Sequence, residues 1–165
     1  MVYYLAPIVI VFFYMGFFAI ENVHIQQTKM SHAELTAKNE GQIFIEYRDA
    51  VASYLQNNPT FTGTVSAATL TAQGYQFPSN FLDVTSNEIT QIGSGSGRVI
   101  TCFSDLPRGA LVQALRITDN DASLGIASST NWTSAAYGSN TTPVALSTTV
   151  TVPEGNVVSV IQIGS

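Results

Sequence analysis

From Met1 to Ile20 the chain carries no charged side chain, and Ile8 to Phe13 is wholly apolar. Twenty helical residues rise roughly 30 Å, the thickness of a bilayer's hydrocarbon core. Pro7 falls near the first turn of such a helix, where a missing N–H is easily tolerated. Tyr3 and Tyr4 stand where an interfacial aromatic belt would lie, and Glu21, Asn22 and His24 close the other end with polar groups. A cleaved signal peptide would need a basic n-region and a small-x-small cleavage site, and neither is present. The stretch therefore reads as an uncleaved single-span anchor over residues 1–20. Gly16, Phe17 and Glu21 reproduce the spacing of a prepilin-peptidase site, but there the apolar segment follows the glycine, whereas here it precedes it.

Orientation rests on two opposed cues. Lys29 and Lys38 follow the span and no base precedes it, which favours a cytoplasmic C-terminus. The body beyond is rich in Thr, Ser, Gly and Asn and poor in Lys, a composition common in exported bacterial domains, and this favours a periplasmic one. The periplasmic placement is the expectation carried forward.

Residues 21–41 are polar, lack proline, and read as a helical stalk continuing the span. Gly41 weakens a helix by about 1 kcal/mol relative to alanine without ending it. Ile43, Phe44, Tyr47, Ala50, Val51, Tyr54 and Leu55 then fall on one helical face, which makes Tyr47 and Tyr54 core residues. Asn57-Asn58-Pro59 is the stop signal. Ser66 suits the cap of a short helix, and residues 76–86 read as an irregular packing loop. Ile89–Ile92 reads as a short strand, Gly93–Gly97 as a flexible connection, and Arg98–Phe103 as β-rich. Leu106–Arg116 is a helix that Ser104 or Asp105 could cap. Ser123–Ser128 and, more weakly, Trp132–Tyr137 are strand candidates. Val144–Val152 and Val157–Ile163, flanking Pro153-Glu154-Gly155-Asn156, carry a hairpin signal. The fold class is α+β: a transmembrane helix (1–20), a helical stalk (21–41), and a compact domain (42–165) with a long helix on a mainly antiparallel sheet.

Chemistry has little material here. Eleven acids and six scattered bases, a net charge of −5, exclude nucleic acid as a main partner. The run at 93–97 enters a strand without the Lys-Ser/Thr pair of a phosphate loop. Asp119-Asn120-Asp121 lacks the closing glutamate of a calcium loop and reads as a turn. His24 and His32 lie in the stalk with no third metal ligand at suitable spacing. Cys102, the single cysteine, sits in an apolar strand and is expected to be a buried, inert thiol. Asn131-Trp132-Thr133 and Asn140-Thr141-Thr142 are formal glycosylation sequons of a kind frequent by chance in Thr-rich sequence. No catalytic, cofactor-binding or metal-binding residue is assigned, and the chain is expected not to be an enzyme and to need no cofactor.

The stretch Ile43–Val51 (IFIEYRDAV), followed by Tyr54, Leu55, Asn58-Pro59 and Gly63-Thr64-Val65, resembles the small PilM proteins of type IVb, thin-pilus operons. The uncharged N-terminal span and the ending Val152-Pro153-Glu154-Gly155-Asn156-Val157-Val158 are similar to that family too; residues 73–147 show no match. The resemblance implies a bacterial inner-membrane protein needed for pilus assembly, in the basal body or the pilin export apparatus, with other pilus proteins as partners. It implies no catalytic residue and no small-molecule substrate. A minor pilin or pilin-like surface subunit is the alternative reading. An actin-like ATPase of type IVa systems shares the name, but this chain has none of its nucleotide-binding loops.

Overall fold

The computed structural model describes residues 36–140 and 142–164. Within it the first described element is helix α1 (36–57), whose apolar stripe turns inward: Phe44, Tyr47, Ala50, Val51 and Leu55 are all buried. Spacings of three and four residues place them on one face, as the sequence implies. Asn57 and Asn58 end it by turning their side-chain amides back onto the Ser53 and Tyr54 carbonyls, 3.2 and 3.0 Å away. Pro59 then cannot continue the ladder.

Helices α2 (Ala67–Ala72) and α3 (Ser79–Leu82) follow, then strands β1 (Thr85–Gln91) and β2 (Arg98–Ser104), helix α4 (Arg108–Ile117), and strands β3 (Leu124–Ser128), β4 (Asn131–Ser134), β5 (Val144–Ala145) and β6 (Val157–Ile163). Ser66 caps α2 as expected, its hydroxyl accepting the Thr69 N–H at 3.2 Å. α4 departs from expectation at its start: Pro107 is the N-cap residue and no side chain caps the helix. Residues 76–86, which lack a readable period, contain α3 and the first two residues of β1, so β1 begins four residues before Ile89. Its polar Thr85, Ser86, Asn87 and Glu88 hid it, because alternation is unreadable where polar side chains are buried by specific partners.

All strands pair antiparallel in the order β1-β2-β6-β3-β4-β5, a mixed helix-and-antiparallel-sheet domain. The expected hairpin of Val144–Val152 with Val157–Ile163 does not form. Only Val144–Ala145 is a strand, and it pairs with β4 at the sheet edge. β6 instead lies in the middle, paired to β2 on one side and β3 on the other. Val157 and Val158 point to opposite faces and both are buried, a burden that only a central strand can discharge. The turn residues serve to bring the chain from the edge back to the centre.

Two cores result. On one face α1 and α4 cover Ile89, Ile100, Cys102, Leu124 and Val157. The helices meet at small residues: a Cβ on Gly41 would lie 2.5 Å from the Ala110 carbonyl oxygen, and one on Gly109 would lie 3.1 Å from the Ala37 Cβ. Glycine at position 41 is thus required by close helix approach, which explains a residue that helix propensity alone disfavours. On the other face Phe103, Ala127 and Val158, with Val160 beside them, pack with Trp132, Leu146 and Val152 beneath the segment 146–156.

Ala37–Ser165 forms one compact unit by its contacts, and Ala37 and Gly41 are buried residues of α1. Among the described residues no helix is long and apolar enough to cross a membrane; the expected span 1–20 and the stalk up to residue 35 lie outside them.

Candidate functional site

The outer edge of β1 is closed. Gly63 and Ile89 exchange backbone hydrogen bonds of 2.8 and 2.9 Å. The buried Asn87 carboxamide accepts the Val65 N–H and donates to the Val65 carbonyl, both at 2.9 Å, and also donates to the Tyr47 hydroxyl at 2.6 Å. Burial pushes the Tyr47 phenol up to about 12, with the Asn87 hydrogen bond offsetting part of the rise. Phe77 and Phe81 meet the Tyr47 ring edge-on, with centroids 5.4 and 5.7 Å away. Tyr47 and the partly buried Tyr54 are core residues, as the helical spacing requires.

Two charged side chains are tied down by segments distant in sequence. Arg48, buried on α1, forms ion pairs with Asp49 at 2.9 Å and with Asp121 at 2.8 Å, linking the helix to the turn after α4. Burial raises the Asp121 carboxyl, but hydrogen bonds from the Ser123 N–H and hydroxyl and from Arg48 outweigh it, leaving Asp121 below the ordinary carboxylate value. The Asp119-Asn120-Asp121 motif is therefore a turn bound to α1, as its lack of a closing glutamate suggested.

Glu88 is the second. It points from β1 to the face opposite the helices, where the Thr148 and Thr149 hydroxyls and the Thr149 and Val150 backbone N–H groups all donate to its carboxylate. Burial raises this carboxyl as well, and those four donors pull it below its ordinary value. Thr90 adds a hydrogen bond of 2.8 Å to the Ser147 carbonyl. The segment 147–150 is thus strapped across the sheet face by β1. Nothing in the spacing of residues 88 and 148 announces the contact; a lone acid in a strand-forming run was its only trace. Beside the strap and the β3–β4 turn lies a concavity of about 290 Å³, lined mainly by Ser129, Thr130, Asn131 and Thr148–Thr151, with no ionisable side chain among its lining residues. Its lining can offer hydroxyl, carboxamide and backbone hydrogen bonds, and no charge.

Cys102 is fully buried and burial pushes its thiol up to about 12, so the nucleophilic thiolate is not formed at neutral pH. Gly93–Gly97 falls within the β1–β2 hairpin connection, where Arg98 donates to the Ser96 and Gly97 carbonyls at 3.0 Å. His24 and His32 lie outside the described residues. Asn131 opens β4; of the second sequon, Thr141 lies outside the described residues. Among the described residues no group of three His, Cys, Asp or Glu side chains is placed to hold a metal ion.

One aromatic residue contrasts with the rest. Tyr137 is 95% exposed, whereas every other described Phe, Tyr or Trp is buried or partly buried. Sequence reading placed it at the end of a strand candidate; β4 stops at Ser134 and Tyr137 stands on the turn beyond it.

The fold has a counterpart among solved structures. A crystal structure of a protein named PilM from Escherichia coli B7A matches with a TM-score of 0.51 and 17% identity, covering 76% of this chain and 91% of that one. At that identity the likeness establishes the shared fold. No curated protein matches the chain in sequence. A family model described as PilM matches residues 10–160, nearly the whole sequence. This chain belongs to the PilM family, a pilus-related family.

Proposed function

We propose that this protein is a non-enzymatic assembly factor of a type IVb pilus, held in the bacterial inner membrane by residues 1–20 with its domain in the periplasm. The observation that carries the reading is the PilM match over residues 10–160. The uncharged run Met1–Ile20 supports the anchor, and a composition with 10% charged residues and only two histidines, His24 and His32, supports a role without catalysis. Its partners are the bilayer and other pilus proteins, not nucleic acid or a small-molecule substrate. A scaffold of this kind works by position: tethering raises the effective concentration of one membrane component for another even where each contact is weak.

The test is complementation of a strain lacking the gene. Full-length protein restores pili and stays in the membrane pellet after carbonate washing. A version lacking residues 1–20 but exported to the periplasm does not restore them, and replacing those residues with an unrelated apolar span does. Rescue by the untethered domain would overturn the scaffold reading. Mass spectrometry of the mature N-terminus addresses the filament alternative: a chain beginning at Phe17 would make it a processed pilin-like subunit.

A further inference from the structure

The cavity between the β3–β4 turn and the strap has two fixed walls. On one side the turn residue Ser129 holds a left-handed φ of 59°, a conformation that glycine adopts more easily. The Thr130 carbonyl beside it accepts the Leu146 N–H at 2.8 Å. On the other side the Glu88 carboxylate fixes Thr148, Thr149 and Val150, and the Thr148 and Thr149 hydroxyls are spent on that contact. The side chains of Ser129, Thr130, Asn131 and Thr151 make no hydrogen bond among the described residues, and these residues line the cavity together with apolar Ala145 and Leu146. Trp132, next to Asn131 in β4 and packed with Leu146, is buried with its indole N–H unpartnered. A buried donor without an acceptor is costly, and a ligand oxygen would supply one.

We propose that this cavity binds a neutral saccharide unit. The chemistry of the lining selects it. No ionisable side chain is among the lining residues, so a carboxylate, phosphate or ammonium group would lose hydration there without meeting a countercharge. A sugar hydroxyl both donates and accepts, and so does each of Ser129, Thr130 and Thr151, so the two sets pair in either sense. The C–H faces of the ring answer Ala145 and Leu146. An extended peptide is a poorer occupant, because it docks through its backbone on a sheet edge. The edge beside the cavity, β5, is two residues long and follows Pro143, which blunts it. At about 290 Å³ the cavity lies at the lower end of small-molecule sites, with room for a mono- or disaccharide. The sugar is held and not turned over, since no acid or base stands in the lining. The proposal goes beyond the assembly-factor reading and does not rest on it.

The experiment uses the full-length chain in lauryldimethylamine oxide, a detergent without a sugar headgroup. It is titrated with glucose, maltose, N-acetylglucosamine and chitobiose. Trp132, the only tryptophan in the sequence, reports binding through its fluorescence, and backbone amide shifts locate it. At least one of the four sugars should saturate below about 10 mM, with shifts centred on residues 129–131 and 145–151. Raising the salt should leave that affinity unchanged, because the site holds no charge. Ser129→Gly removes a hydroxyl and suits the left-handed backbone, and Thr151→Val removes one while keeping the shape. Each should weaken binding by roughly two- to tenfold. Amide positions unchanged away from the site verify that both variants fold. Saturation by none of the four sugars overturns the proposal, as do shifts lying elsewhere or wild-type affinity in both variants. Tighter binding of glucuronate or glucosamine would make the ligand a charged one and overturns it too. So does saturation by a blocked tetra-alanine peptide alone, which would make the cavity a peptide site.

Discussion

The two faces of the sheet are held by different forces. The helix face is an apolar core in which α1 and α4 approach at glycine and alanine, and buried Arg48 pairs there with the partly exposed Asp121. The strap face has a smaller apolar cluster, and its covering segment carries no regular structure between Ala145 and Val157. Four hydrogen bonds to the Glu88 carboxylate tie that segment to β1. A helix can bring a whole stripe of side chains to a sheet, whereas an irregular segment buries fewer and must satisfy its own backbone polar groups. The acid on β1 does part of that, accepting the backbone N–H groups of Thr149 and Val150.

The comparison is broken most directly from the helix side. Phe44 is fully buried in α1, and Phe44→Ala should cost about 3–5 kcal/mol in urea unfolding. A loss below 1 kcal/mol would mean that the helix face is not the main core. On the strap side Glu88→Ala should cost about 1–3 kcal/mol, because the strap donors lose their acceptor. Its signature is pH dependence. Since the folded carboxyl lies below its ordinary value, the contribution is complete above about pH 4.3 and is lost as pH falls through the folded value. Asp121 is shifted the same way and destabilises the helix side over a similar acid range, so only the difference between wild type and Glu88→Ala reports the strap. Hydrogen exchange at Thr149 and Val150 should rise in that variant while exchange along α1 does not.

A third substitution should act in the opposite direction. Thr101 lies directly across from Glu88 on β2, fully buried, and its hydroxyl has no hydrogen-bond partner. Thr101→Val keeps the shape and removes a buried polar atom, so it should be neutral or stabilising by about 1 kcal/mol. Destabilisation by more than that would show that the hydroxyl belongs to the Glu88 network. The smallest effect belongs to the solvent side of α1. Glu46→Ala should shift stability by less than about 0.5 kcal/mol, since Glu46 is exposed and its contact is a surface hydrogen bond with Gln42.

Much of the helix face was legible. The periodic residues of α1, the Asn-Asn-Pro stop, the stripe of α4 and the β-rich run at 98–103 are local signals, each readable within a dozen residues. The strap face was not. Val144–Val152 and Val157–Ile163 have strand-forming composition on either side of a turn, but composition cannot say which neighbour a strand will take. The centre of the sheet went to Val157–Ile163, whose partners are β2 and β3, and the rest of the run was left to cross the sheet. Glu88 and Thr148 are sixty residues apart, beyond the reach of any spacing rule. Tyr137 looked like a strand residue because its exposure depends on where Asn120 lies.

By itself the sequence determined what short-range stereochemistry and periodicity control: the long helix and its end, the short capped helix, the positions of several strands, and an uncharged run long enough to span a bilayer. It also held the pattern that places the chain in the PilM family. Only the tertiary structure decided the strand order, the closing of the β1 edge, the glycine contact of α1 and α4, the polar strap, and the exposure of the Tyr137 ring. Each of these is settled by competition among segments distant in the chain for the same buried surface, and that competition is won by packing and hydrogen-bond satisfaction that no single segment encodes.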